Sequence, residues 1–360
     1  MRERRIQTLG DLSRATKQEG HNVIEELEAD LITEVHTLKE AQQQSAELLS
    51  QGQGVLLVDT TLGNVRRIID EGNKRFAGNA NLELYARMII SALHGGSEPT
   101  DYTDLIASWT GLSRDHIQTL DIRNSGSPQE LDTSIKAVLF SGSPSHLPNI
   151  GSGKEIRPGI TDADVYNRSL AVWREAVKAG LPEFGICYGL QRGAKHVGMD
   201  ILQQPGRSQA GEATQIVTQE GVDIISMLGC TTDPSELAGR ISAFRSDEVQ
   251  GTPDPRFASI LFTPHDLDPS MVFGLIHNPQ GTGTSPEIIK QVLAAGQSAG
   301  LDIQGHPEIR RGERARISAG AGRNLDNIPL RLNGSDQELS TAMLKMMTEF
   351  FRLHKRAERA

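Results

Sequence analysis

The chain has 360 residues, 37% of them hydrophobic, which is enough to bury a full core and excludes disorder along its whole length. Lysine and arginine total 37 against 46 aspartates and glutamates, a formal charge of -9, and aromatic residues make up 4%, so neither a phosphate-neutralising surface nor a base-stacking platform is expected. Two cysteines cannot build a disulfide framework, no Cys-x-x-Cys pair points to zinc, and no run of about 18 apolar residues marks a membrane span. A soluble, cytoplasmic protein is the expectation, with no nucleic-acid or membrane partner and no metal or other cofactor.

From Asn22 to Leu49 the chain is polar and helix-prone, with Ile24, Leu27, Leu31, Leu38, Ala41 and Leu48 at heptad spacing, which predicts one amphipathic helix. It either packs on the body of its own subunit or forms a coiled-coil or partner-docking arm; Glu34 and Ser45 interrupt the stripe and weaken the second reading. Gln51 to Gly54 then reads as a linker. Residues 1–53 are accordingly taken as a helical extension and linker, and 54–360 as one α/β domain with insertions.

Val55–Asp59 is a short apolar run ending in an acidic residue, as expected of a buried parallel strand meeting a loop, and a helix should follow from Asn64. Apolar runs at Ala137–Phe140, Phe184–Cys187 and Val272–Ile276 alternate with helical stretches such as Ala163–Ala179 and Pro286–Ala299. This alternation predicts a doubly wound, mostly parallel sheet flanked by helices, with any site at the carboxyl ends of its strands. Gly312–Gly334, rich in Gly, Arg and Asn, reads as a long loop, and Gln337–His354 as a final helix with one buried face.

Gly-x-Cys-x-Gly in Phe184-Gly-Ile-Cys-Tyr-Gly-Leu-Gln191 puts a nucleophile between two glycines directly after a strand. Such spacing suits a tight strand-to-helix turn that presents the Cys187 sulfur at a helix N-terminus, where the dipole favours negative charge, with the Tyr188 N–H facing a developing oxyanion. A thiol nucleophile needs a base, and His306 in Gln304-Gly-His-Pro-Glu308 stands out among ten histidines, because it follows a short apolar run and Glu308 is near enough to orient its ring. Ser141-Gly-Ser-Pro144 ends another strand in small residues whose amides could approach a reacting carbonyl.

Together these residues resemble the class I, or triad-type, glutamine amidotransferases: Gly185 to Gln191 matches the nucleophile signature, His306 to Glu308 the His-Pro-Glu, and Ser141 to Pro144 the Ser-Gly-Gly-Pro loop. The resemblance implies catalytic Cys187, His306 and Glu308, a γ-glutamyl thioester, and release of ammonia to a separate synthetase subunit. It further implies Gly142 and the amides of Ser143 and Tyr188 around the oxyanion, Gln191 on the glutamyl moiety, and Ser246, within Phe244–Val249, as a further substrate contact.

The resemblance covers about Val55 to Phe351 and leaves large insertions. The one after Ser143 is similar to the γ-glutamyl hydrolase branch of the same fold, so a free-standing hydrolase of γ-glutamyl amines or peptides is an alternative. Ser143 where glycine is usual, and Gly305 where a large residue is usual, depart from the pattern; Ser143 would be strained if its φ were positive. These departures also keep a non-catalytic binding protein among the readings, and a homo-oligomer through the N-terminal helix stays open.

Overall fold

The computed structural model describes residues 6–354 apart from 51–53, 124–130, 133, 145–146, 148–149, 204–208, 232, 246, 266–267, 269, 310 and 331–338. Two helices open the chain, α1 (Leu9–Arg14) and α2 (Lys17–Leu49), each started by a capping box, Thr8 with Asp11 and Thr16 with Glu19. The second box is why the long helix begins at Lys17 and not at Asn22. There follow β1 (Gly54–Asp59), α3 (Asn64–Phe76), α4 (Ala80–His94), α5 (Tyr102–Thr110), β2 (Ile117–Asp121), β3 (Ile135–Phe140), β4 (Glu155–Arg157), β5 (Ile160–Thr161) and α6 (Asp162–Lys178). The middle of the chain supplies β6 (Glu183–Ile186), α7 (Tyr188–His196), β7 (Asp200–Gln203), β8 (Gln209–Val217), α8 (Gln219–Leu228), β9 (Gly239–Arg245) and β10 (Asp247–Gln250). Last come β11 (Ala258–Pro264), β12 (Gly274–His277), α9 (Pro286–Ala294), β13 (Gly300–Ile303), α10 (Arg311–Gly320) and α11 (Ser340–Leu353).

Among the described residues, nine strands form the central sheet in the order β2-β1-β3-β6-β13-β12-β11-β8-β9. The first five run parallel, and the remaining four continue the sheet antiparallel. Alternation along a strand divides the core: Val55 and Leu57 of β1, with Ala137 and Leu139 of β3, pack with α5, α8, α9 and α11, while Leu56, Val58, Val138 and Phe140 pack with α6 on the other face. The expected α/β sheet with flanking helices is therefore present: the runs at Val55–Asp59, Ala137–Phe140 and Phe184–Cys187 fall on parallel β1, β3 and β6, whereas the run at Val272–Ile276 falls on β12, which is antiparallel to both neighbours.

α2 packs along the body: Leu38, Ala41 and Leu49 join the core that contains α5, and Ile24, Leu27 and Leu31 join a second core with α1, α4 and α10. Ser45, which interrupts the apolar stripe, is fully buried. The loop expected over Gly312–Gly334 is corrected to a helix at its start, α10, because Glu313 and Arg316 pair one turn apart at 2.7 Å and α10 packs closely on α3. Residues 331–338, with the expected start of the last helix, lie outside the described residues. The helix expected to reach Ala299 stops at Ala294, followed by Gly296 in a left-handed conformation.

Because β6 lies between β3 and β13, all three parallel, the segments leaving their carboxyl ends emerge side by side. Those segments are Ser141–Gly142, Cys187 and Gln304–Glu308.

Candidate active site

Cys187 stands alone between β6 and α7 with φ 55° and ψ -92°, a conformation that costs a non-glycine residue about 1–3 kcal/mol. Two backbone bonds hold it there: its N–H donates to the Ile303 carbonyl at 2.7 Å, and its carbonyl accepts from the Gln191 N–H at 3.2 Å as α7 begins. The turn is pressed against β13, since a Cβ on Gly185 or on Gly193 would collide with the Asp302 carboxylate. Glycine at 185 is thus required by close approach of the neighbouring strand. The result is a sharp strand-to-helix elbow carrying a buried thiol, 4% exposed.

The next strand brings the base. His306 donates or accepts at Nδ1 with Glu308 Oε1 at 2.8 Å, and its ring also hydrogen-bonds Cys187. Burial works against its charged form, but the Glu308 carboxylate and the Cys187 sulfur outweigh that, pushing its pKa up to about 10. Two further side chains reach this relay. The Gln304 amide donates from Nε2 to Cys187 Sγ at 3.3 Å, and the Tyr102 hydroxyl of α5 donates to the same Glu308 oxygen at 2.8 Å.

Gly142 closes the third side. A Cβ there would stand 2.8 Å from His306 Cε1 and 3.6 Å from Cys187 Cβ, so only glycine lets the loop after β3 lie against both. The Thr60 hydroxyl, in the loop after β1, donates towards the carbonyls of Gly142 at 2.9 Å and Ser141 at 3.1 Å, tying that loop to β1. Ser143 follows Gly142 and is not left-handed, since Leu62 and Cys187 are the non-glycine residues with positive φ among those described. The expected strain at Ser143 is therefore absent.

Cys187, His306, Glu308 and Gly142 thus meet in one place, with Ser143 and Tyr188 adjoining by chain continuity. Gln191 is buried in α7 and its Nε2 reaches the Asp247 carbonyl at 3.4 Å. Ser246, the residue before it, lies outside the described residues. Sequence reasoning missed Tyr102, Thr60 and the role of Gln304; the last stood inside a motif already singled out, whereas Tyr102 and Thr60 carry no local signal.

Behind the elbow lies a buried charge cluster. His277 Nε2 is 2.7 Å from Glu183 Oε1 and 3.1 Å from Asp302 Oδ2, and Arg192 Nη2 is 3.1 Å from Glu183 Oε2. Three of these residues, Glu183, His277 and Asp302, present ligand-type atoms within 4.8 Å of one another. They fit a metal ion poorly, because the imidazole already bridges both carboxylates and the adjacent guanidinium supplies a second positive charge. Burial opposes charge on His277, yet Asp302 and Glu183 push its pKa up to about 9. The cluster is charge-paired packing beneath α7.

No family model matches the chain, and no curated protein matches it. Among solved structures it is similar to a glutamine amidotransferase from Thermotoga maritima, at 14% identity over 84% of this chain and 97% of that one, with a TM-score of 0.45. It is similar also to a glutamine amidotransferase from Methylobacillus flagellatus, at 12% identity over 85% and 96%, with a TM-score of 0.43. No helix among the described residues is long and apolar enough to cross a membrane.

Proposed function

We propose that the chain is a glutaminase of the triad amidotransferase type, hydrolysing the γ-carboxamide of glutamine and releasing ammonia. The observation that carries this reading is the relay of Cys187, His306 and Glu308 on a strained strand-to-helix elbow. The Cys187 thiolate adds to the carboxamide carbon, and the electron pair moves to the carbonyl oxygen, where the amides of Ser143 and Tyr188 receive it. Collapse of this adduct breaks the C–N bond as His306 gives its proton to the departing nitrogen, leaving ammonia and a γ-glutamyl thioester. Water then gives a proton to His306 and adds to the thioester carbonyl, glutamate leaves, and the sulfur is restored. Glu308 orients the imidazole and stabilises its charged form. Gln191 and Ser246 are assigned to the glutamyl moiety, residues 54–360 to the catalytic unit, and a separate synthetase subunit to the ammonia.

A second reading, a free-standing hydrolase of γ-glutamyl amines or peptides, is favoured by Gly305, which places no side chain beside the base. One experiment separates the two: glutamate release by the purified chain from L-glutamine and from a panel of γ-glutamyl amines, with Cys187→Ala as control. Cys187-dependent cleavage of glutamine supports the glutaminase, and fast cleavage of a γ-glutamyl amine with little of glutamine replaces it by the hydrolase. If nothing is cleaved and a glutamine-analogue electrophile leaves Cys187 unmodified, both readings fail. Neither Cys187 nor Cys230 is in a disulfide, which suits a reducing compartment, and a cytoplasmic location is proposed on that ground.

A further inference from the structure

Glu308 holds both of its hydrogen-bonding partners on one oxygen. His306 Nδ1 and the Tyr102 hydroxyl each lie 2.8 Å from Oε1, while Oε2 is buried with no hydrogen-bond partner among the described residues. A carboxylate held in this way can rotate or tilt unless both donors stay in place. Tyr102 comes from neither the nucleophile turn nor the His-Pro-Glu segment. It is the first residue of α5, which lies between β1 and β2, and its side chain is buried beside the relay.

The helix that carries it is itself pinned at the far end. Trp109 Nε1 donates to the Ser340 carbonyl of α11 at 3.1 Å, and Gln42 Nε2 of α2 donates to the Ser108 carbonyl at 2.6 Å. Leu38 and Ala41 of α2 share one core with Leu105 and Ile106 of α5. Burial, and after it the Glu308 charge, hold the phenol well above its ordinary pKa, so it keeps its proton and remains a donor beyond the range of a free phenol.

We propose that Tyr102 is a positioning residue for the Cys187 site, its hydroxyl fixing Glu308 Oε1 where that oxygen orients His306 and leaves the other ring nitrogen to Cys187. This rests on the glutaminase reading of Cys187. The charged or titratable groups facing the His306 ring are Cys187 from the elbow and Glu308 from its own loop, with Tyr102 acting on Glu308, and Asp59 of β1 acting on Tyr102. Donation from Tyr102 draws charge from Oε1. Without it, Glu308 holds the imidazolium proton more tightly and aims it less well.

The test compares the full chain with its Tyr102→Phe variant, which keeps the ring and its packing. Two quantities are measured: kcat and KM for L-glutamine, and the pH dependence of Cys187 alkylation by iodoacetamide, whose upper limb reports loss of the His306 proton. The expected result is a fall in kcat of about tenfold with little change in KM, and an upper limb moved to higher pH. A role confined to packing would leave the limb in place. Should Tyr102→Phe lower the folded fraction, Glu308→Gln supplies the second arm, because on that background Tyr102→Phe should add no further loss. Identical kcat and limb in Tyr102→Phe and the parent, or losses that multiply fully in the double variant, overturn the proposal. A parent chain whose Cys187 is unreactive at every pH overturns the glutaminase reading and this inference with it.

Discussion

At Cys187 the backbone and the chemistry pull in opposite directions. Its φ of 55° and ψ of -92° suit glycine, yet the sulfur must sit there to face His306. Comparing Cys187→Gly with Cys187→Ala isolates the strain, since both lack sulfur and differ by one Cβ. Elsewhere in a helix glycine is worse than alanine by roughly 1 kcal/mol, but here relief of the positive φ, worth about 1–2 kcal/mol, should make Cys187→Gly at least as stable in urea denaturation. A clear deficit for Cys187→Gly would mean that the elbow stores no strain. Thr60 tests the opposite kind of residue, one that bonds the loop beside the thiol. Thr60→Val preserves shape but removes the hydroxyl that donates to the buried Ser141 carbonyl and shares the Gly142 carbonyl with the Ser141 hydroxyl, so a loss of about 1–3 kcal/mol in urea denaturation is expected, with reduced glutamate release. The relay of Cys187, His306 and Glu308 was legible because each member sits in a short motif with its own glycine or proline punctuation. Tyr102 was not: its partner Glu308 lies 206 residues away, and a tyrosine at a helix start carries no mark of what its hydroxyl will meet.

Elements were legible where apolar period and flanking turns agreed. β1, β3, β6 and the helices α6 and α9 follow runs read directly from the chain, and the segments leaving those three strands carry Thr60, Gly142 and Cys187. The antiparallel strands β8 and β9 escaped because their sequence, Gln209–Val217 and Gly239–Arg245, has no continuous apolar run to announce a buried strand. α10 escaped for a different reason. Its start, Arg-Gly-Glu-Arg-Ala-Arg, is charged and reads as loop, yet Arg316 is fully buried and bound to Glu313 and to Glu98 at 2.7 Å each. A buried guanidinium becomes tolerable only once long-range carboxylates exist to meet it. The long helix α2 was read correctly as amphipathic, and its stripe is covered by the chain's own α4, α5, α10 and α11. Leu38 is 1% exposed in the same core as α5, so Leu38→Ala should cost about 2–5 kcal/mol in urea denaturation. A surface-docked arm would lose much less.

Across the whole molecule, whose formal charge is -9, stability at alkaline pH should be governed by buried histidines and not by surface groups. His277 and His306 have pKa values of about 9 and 10 in the folded chain against 6.5 for a free imidazole, the first held by Asp302 and Glu183 and the second by Glu308 and Cys187, each against burial. Between 6.5 and those values the folded chain binds protons that the unfolded chain has released, so their stabilisation is complete below 6.5 and disappears as pH rises through 9 and 10. On the acid side, burial raises Glu183 and Glu313, but Arg192 with His277 and Arg316 with His94 respectively outweigh it, bringing both to about 2, and their contribution is present above 4.5 and lost as pH falls towards 2. His196, lowered to about 4 mainly by burial, opposes the other two histidines below pH 6.5, and Asp59 and Asp302, raised by burial, oppose the glutamates. The acid limb is thus shared among opposing groups, whereas the alkaline limb has two histidines acting in one direction. Urea denaturation from pH 6 to pH 10 should therefore show stability falling steadily above neutrality, and His277→Gln should flatten the part of the slope that ends near pH 9. A parent curve level from pH 7 to 10 would mean that neither imidazole holds its proton in the folded chain, which would also remove the charged His306 on which ammonia departure depends.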